Sequence, residues 1–285
     1  MARADGKRIK NEDPMYHLIP QFLPHRYDAM NMITLDIPEA PMRRYMNEKR
    51  REGRRISHLA LFLCAYCRTV ERFPALNRFI VSRKIYQRNY FSVAMAVLRP
   101  NGEDTITKTR LEYTDDIFTV QEKLDGCISM NRQEEIKNSL DRIMGVMVKA
   151  GFLMRLAMGV LRLGDSLGLL PGSLLDMSPF HASILVSNLA SIRTNHIYHH
   201  IYDFGSVSVS MTIGNLRERP RRLSDGSIDL ERCVPLGVVM DERICNGHYC
   251  AQAFAYLQEL LKDPRKLESP AESKTGEAVS ALNEA

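Results

Sequence analysis

From Cys233 to Pro264 the chain reads CVPLGVVMDERICNGHYCAQAFAYLQELLKDP, and this run sets a strand, a corner and a helix in succession. Val234, Leu236, Val238 and Met240 alternate with Pro235, Gly237, Val239 and Asp241, the period of a strand with one strongly apolar face. Glu242 is the next residue on that face. Asn246 has the type and position of a helix N-cap, and Ala253, Leu257, Leu260 and Leu261 beyond it recur at helical spacing. A carboxylate is therefore delivered to a strand-to-helix corner.

The corner Asp241-Glu242-Arg243-Ile244-Cys245-Asn246-Gly247 resembles the active-site segment D-H-R-x-x-[DN]-G of the dihydrolipoyl acyltransferases, the core subunits of 2-oxoacid dehydrogenase complexes. Chloramphenicol acetyltransferase, with H-H-x-x-x-D-G, is a more distant likeness. Three further segments follow in the order of that family. Ser57 to Ile80 looks like its second helix and the turn Phe73-Pro74-Ala75-Leu76-Asn77. Ser183 to Ile192, SILVSNLASI, looks like its oxyanion strand. Met211-Thr212-Ile213-Gly214 matches its next strand end. The likeness spans roughly residues 15 to 264.

The resemblance implies an α/β (α+β) chloramphenicol acetyltransferase-like sandwich, a mixed sheet flanked by helices, assembled as a homotrimer. It implies catalytic positions at Glu242, Ser187 and Asn246. Glu242 stands where the family has its catalytic histidine, Ser187 falls on the oxyanion serine, and Asn246 with Gly247 completes the pattern. Coenzyme A or acyl-CoA would be a substrate, with a small-molecule or carrier-bound acceptor, and a lipoyl group would come on a separate partner. In the family the base removes the acceptor's proton, the acceptor attacks the thioester carbonyl directly, and the serine steadies the oxyanion. As a residue type, glutamate begins about 3 kcal/mol poorer than histidine as a base at neutral pH. It also cannot become a cation beside the oxyanion. Three readings follow: an acyltransferase with glutamate as base, a catalytically silent trimeric scaffold or ligand-binding homologue, and a peripheral membrane or acyl-carrier partner.

A chain of 285 residues that is 45% hydrophobic buries a substantial core without division. The expected organisation is a mobile N-terminal arm over 1–14, one catalytic domain over 15–264, standing alone, and a disordered tail over 265–285. Six cysteines without framework spacing and an N-terminus without an apolar signal core point to the cytoplasm. Cys64-Ala-Tyr-Cys67 lies in an apolar helix, where buried structural thiols are expected.

Basic residues cluster over 43–55 and 217–222, positions that suit either coenzyme A phosphates or a solvated helix and hairpin. No nucleic-acid module is present in the sequence. Helices are expected near 57–73, 131–148, 152–168 and 248–262, and strands over 91–97 and 206–213. The apolar stretch 152–170 is broken by Arg155, Arg162 and Asp165, so no transmembrane segment is expected; it suits a helix packed on the sheet or a neighbouring subunit. His196, His199, His200 and Asp203 form no clean metal triad, and no metal is expected. These histidines suit interface or hydrogen-bonding roles.

Overall fold

The structure, a computed structural model, describes residues 3–99, 102, 104–132 and 151–270. The first half of the chain forms β1 (Gly6–Arg8), α1 (Pro14–Phe22), β2 (Met30–Pro38), α2 (Glu39–Arg51), α3 (His58–Arg72), β3 (Arg78–Val81), β4 (Lys84–Arg88), β5 (Phe91–Leu98) and β6 (Asp104–Leu111). After α4 (Ile117–Arg132) come α5 (Phe152–Leu167), α6 (Gly172–Met177), β7 (Ile184–Asn188), β8 (Val209–Ile213), β9 (Arg217–Arg222), β10 (Ile228–Asp241) and α7 (Gly247–Lys262).

The main sheet runs β2-β10-β8-β7-β5-β6, with β9 hairpinned onto the outer half of β10. It is mixed: β7 lies parallel to both β5 and β8, while the other pairs are antiparallel. The alternation that marked β10 as a strand also sets its two faces. Val234, Leu236, Val238 and Met240 join Val209, Met211, Ile184 and Val186 in a core closed by α3 and α7. Because α3 lies in the middle of this layer, it is buried from Ala60 to Val70, and Ser57 caps it by accepting from the Ala60 N–H at 3.1 Å. Cys64 and Cys67 are buried within it, and burial pushes the Cys64 thiol up to about 12.

The opposite face carries Ser208, Ser210 and Thr212, all buried, beside a second, smaller apolar cluster that includes Ala94, Leu185 and Val239. Residues 195–201 cross this face at close range. Ile197 donates its N–H to Thr212 Oγ1, which in turn donates to the Ile197 carbonyl. A Cβ on Gly214 would lie 2.3 Å from the His196 nitrogen, and one on Gly237 2.3 Å from the Ile197 oxygen, so only glycine admits the crossing at either point.

Both termini depart from the expected organisation. Residues 6–8, expected in a mobile arm, form β1 against β4. Arg3 is buried with its guanidinium 2.9 Å from Asp5 and 2.7 Å from Asp165. Buried charges of this kind hold only when paired, so the pairings fix the arm. Burial alone would raise Asp5 and Asp165; the Arg3 hydrogen bond and the Arg88 charge at Asp5, and the His181 hydrogen bond together with Arg3 at Asp165, outweigh it and hold both carboxyls below their ordinary range. Burial lowers His181, 3.3 Å from Asp165, leaving it uncharged at neutral pH. At the other end, residues 265–269 pack rather than trail, with Leu267 buried and the Ser269 carbonyl accepting from Arg68 at 2.9 Å. The remainder of the expected tail, from 271, lies outside the described residues, as does most of the helix expected over 131–148.

α5 confirms a helix over the apolar stretch but does not bury it on both sides. Asp165 ties one side to the arm, and Ser82 Oγ donates to the Ser166 carbonyl. Leu156, Val160, Leu163 and Leu167, at spacings of four, three and four, remain exposed on the other side. No helix among the described residues is long and apolar enough to cross a membrane.

Candidate active site

Glu242 is the first residue beyond β10, and its position is set by its two neighbours. Asp241 and Arg243 are both buried and form a two-bond ion pair, Nε to Oδ1 at 2.7 Å and Nη2 to Oδ2 at 2.7 Å. The Arg243 N–H also donates to Asp241 Oδ1, closing a tight turn under Glu242. Arg243 Nη1 reaches the Leu23 carbonyl at 2.8 Å. Arg26 stands 3.6 Å from Asp241 and donates to the carbonyls of Ile80, Tyr202 and Gly205. Burial draws the Arg26 guanidinium below its ordinary value despite Asp241. The Asp-x-Arg part of the corner is thus an internal anchor joining three separate segments.

Glu242 itself is half-buried and turns toward the helix layer. Its carboxylate accepts from Asn31 Nδ2 at 3.0 Å, and its N–H donates to the Ala29 carbonyl at 2.9 Å. It lines a cavity of about 570 Å³ with Ile33, Leu35, Met240, Asn246 and Phe254. Asn246 caps α7: its Oδ1 accepts from the Tyr249 N–H at 2.8 Å, and its own N–H donates to Tyr16 Oη at 3.2 Å. The cavity is therefore mostly apolar, with one carboxylate and the amide side chains of Asn31, Asn246 and Gln258 in its lining, a form suited to a small organic group.

Ser187 is elsewhere. It sits near the end of β7, level with Thr212 of β8, which is level in turn with Gly237 of β10. Glu242 lies five residues beyond Gly237, about 17 Å further along the strand direction. The faces differ as well, since Ile184 and Val186 join the helix-side core and Ser187 alternates with them. Its hydroxyl makes no hydrogen bond among the described residues. One chain thus brings Glu242 and Asn246 together and leaves Ser187 apart.

The remaining candidates resolve as structural features. His199 Nδ1 donates to the His200 carbonyl, and His25 lies 3.4 Å from Asp203, which also accepts from the Arg26 N–H. In the basic clusters, Arg217 is paired with Asp36 at 2.6 Å, Arg221 with Glu231 at 3.1 Å, and Lys49 with Glu52 and Glu268 at 3.0 Å. What sequence reading missed is a contact inside the cavity wall: the sulfurs of Cys245 and Cys250 are 3.2 Å apart. Their spacing of five residues across a helix start was the available signal.

Comparison with solved structures defines the fold as that of the 2-oxoacid dehydrogenase acyltransferase cores and chloramphenicol acetyltransferase. A probable dihydrolipoamide acetyltransferase from Listeria monocytogenes 4b F2365 matches with a TM-score of 0.59 and 14% identity, over 95% of this chain and 97% of that one. The dihydrolipoamide acetyltransferase of Azotobacter vinelandii matches with a TM-score of 0.52 and 15% identity, over 91% and 94%. That structure belongs to a study of a serine, a histidine and an asparagine in its catalytic mechanism. Chloramphenicol acetyltransferase matches with a TM-score of 0.53 and 13% identity, over 90% and 99%. No family model and no curated protein matches the sequence.

Proposed function

We propose that this chain is an acyltransferase, moving an acyl group between a coenzyme A thioester and a thiol, hydroxyl or amine acceptor. The observation that carries the reading is the placement of Glu242, held by the Asp241–Arg243 turn as the one carboxylate lining a largely apolar cavity. Glu242 takes the acceptor's proton, the acceptor attacks the thioester carbonyl, and the bond to sulfur breaks as coenzyme A leaves and recovers the proton. No covalent enzyme intermediate is formed. Ser187 donates its unengaged hydroxyl to the developing oxyanion.

The separation of Ser187 from Glu242 within one chain supports a cleft shared between copies, with Ser187 of one protomer facing Glu242 of the next in a trimer. Asn246 shapes the corner by capping α7. A lipoyl group on a separate partner is one acceptor of the required thiol class.

The Asn31–Glu242 hydrogen bond favours a second reading, a silent trimeric scaffold or ligand-binding homologue in which the carboxylate serves structure alone. One experiment separates the two. Purified protein is incubated with a panel of acyl-coenzyme A thioesters and acceptors, and thiol release and acylated acceptor are followed by mass spectrometry. Acceptor-dependent release establishes transfer; none across the panel, with the trimer intact by light scattering, establishes the scaffold.

A further inference from the structure

Among the described residues, Cys245 and Cys250 are the one pair of thiols in direct contact, and they meet in the wall of the Glu242 cavity. Cys245 is the last-but-one residue before α7, and Cys250 lies in the first turns of that helix, so the corner folds one sulfur onto the other at 3.2 Å. A disulfide bond is about 2.05 Å long, which leaves roughly 1 Å of approach.

We infer that Cys245 and Cys250 form a dithiol redox site that small-molecule disulfides oxidise, through the cavity, to an intramolecular Cys245–Cys250 bond. This site does not depend on acyl transfer. Each residue is nearly buried, at 2% and 5% exposure, yet both line a cavity wide enough for a small disulfide.

The position of the two sulfurs assigns their roles. Cys250 lies in the first turn of α7, where a helix N-terminus favours a thiolate, and is the more exposed of the two, with the Cys245 sulfur 3.2 Å away. Cys250 is therefore the attacking thiolate. It displaces one sulfur of the disulfide RSSR, forming Cys250–S–SR and releasing RS⁻, which takes up a proton. Cys245 then loses its proton and attacks the Cys250 sulfur, expelling the second RS⁻. The protein gives up two electrons and two protons, and RSSR becomes two RSH.

The other four cysteines lack this arrangement. Cys64 and Cys67 are enclosed in α3, where burial raises both thiols. Cys127 contacts Thr107 Oγ1, and Cys233 sits where the β9–β10 hairpin leaves the sheet. These serve as internal controls.

The test treats the folded full chain with hydroxyethyl disulfide, blocks free thiols with N-ethylmaleimide after acid quenching, and maps the peptides. The expected result is a fall from six alkylatable thiols to four, with a two-hydrogen mass loss confined to the peptide after Arg243 that holds both cysteines. Cys245→Ser should stop at a mixed disulfide on Cys250, and Cys250→Ser should leave Cys245 reduced, each with an unchanged circular dichroism spectrum. Six alkylatable thiols after treatment would overturn the site. So would oxidation shared equally with Cys64 and Cys67, or a mixed disulfide forming on Cys245. The readout involves no thioester, so failure here leaves the acyltransferase reading standing, and the reverse also holds.

Discussion

Asp241 and Arg243 clasp each other beneath Glu242, two hydrogen bonds of 2.7 Å joining side chains that solvent does not reach. The pair holds the turn that presents the carboxylate, and it ties that turn to the Leu23 carbonyl and, through Arg26, to residues 202–205. Asp241→Asn should therefore cost about 3–5 kcal/mol, because it strands a buried guanidinium. Denaturant unfolding measures the loss. Adding Arg243→Met should cost less than the sum of the two single changes; strict additivity would show that the residues act independently.

Glu242→Gln keeps the shape of the side chain and removes its basicity. Transfer should fall by about 100- to 10,000-fold while the melting temperature stays within a degree or two, as expected for loss of a general base. Glu242→His places at this corner the histidine of the acyltransferases that the sequence resembles and should raise the rate. Full activity in the glutamine variant would remove Glu242 from the reaction.

Ser187→Ala should lower kcat about 100-fold, near 2.7 kcal/mol, with little change in KM, since an oxyanion donor acts in the transition state. A hydroxyl with a purely structural role would instead cost roughly 1 kcal/mol of stability and leave the rate nearly intact.

If Ser187 and Glu242 act from neighbouring protomers, two dead variants should rescue each other. Ser187→Ala and Glu242→Gln chains, refolded together in equal amounts, should recover about a quarter of the native activity in a cyclic trimer, because one cleft in four pairs the two intact residues. Recovery of none would place the site within a single chain.

Acid should loosen the fold in two stages. His181 and His58 are lowered from 6.5 chiefly by burial, so the unfolded chain binds these protons more readily and stability falls as pH drops below about 6.5. Asp5 and Asp165 are held below 3.8, and their contribution, present above that value, is lost as pH falls through their lower folded values. Denaturant midpoints between pH 8 and pH 5 should show the first stage, and His181→Gln should flatten it. An unchanged slope in that variant would assign the proton uptake to other groups.

The corner was legible because its information is local. Alternation placed β10, Asn246 placed the start of α7, and the order of four motifs placed the fold. The N-terminal arm was not legible, since Arg3 finds Asp165 162 residues away and Ala-Asp-Gly-Lys-Arg offers no apolar anchor. α4 was missed for a related reason: Ile117, Val120, Leu124 and Cys127 do bury one face, but polar residues and Gly126 thin the pattern around them. At the site, the roles of Asp241 and Arg243 were invisible because side chains two residues apart meet only when the backbone turns. The Cys245–Cys250 contact was hidden in the same way.

The five-residue offset between Ser187 and Glu242 has a quantitative consequence for a cleft completed by assembly. Such a protein has a threshold: diluted past the point where protomers part, it loses turnover altogether rather than in proportion to the amount of chain. Specific activity would then climb with protein concentration and level off, and the amount synthesised would itself set whether the reaction runs.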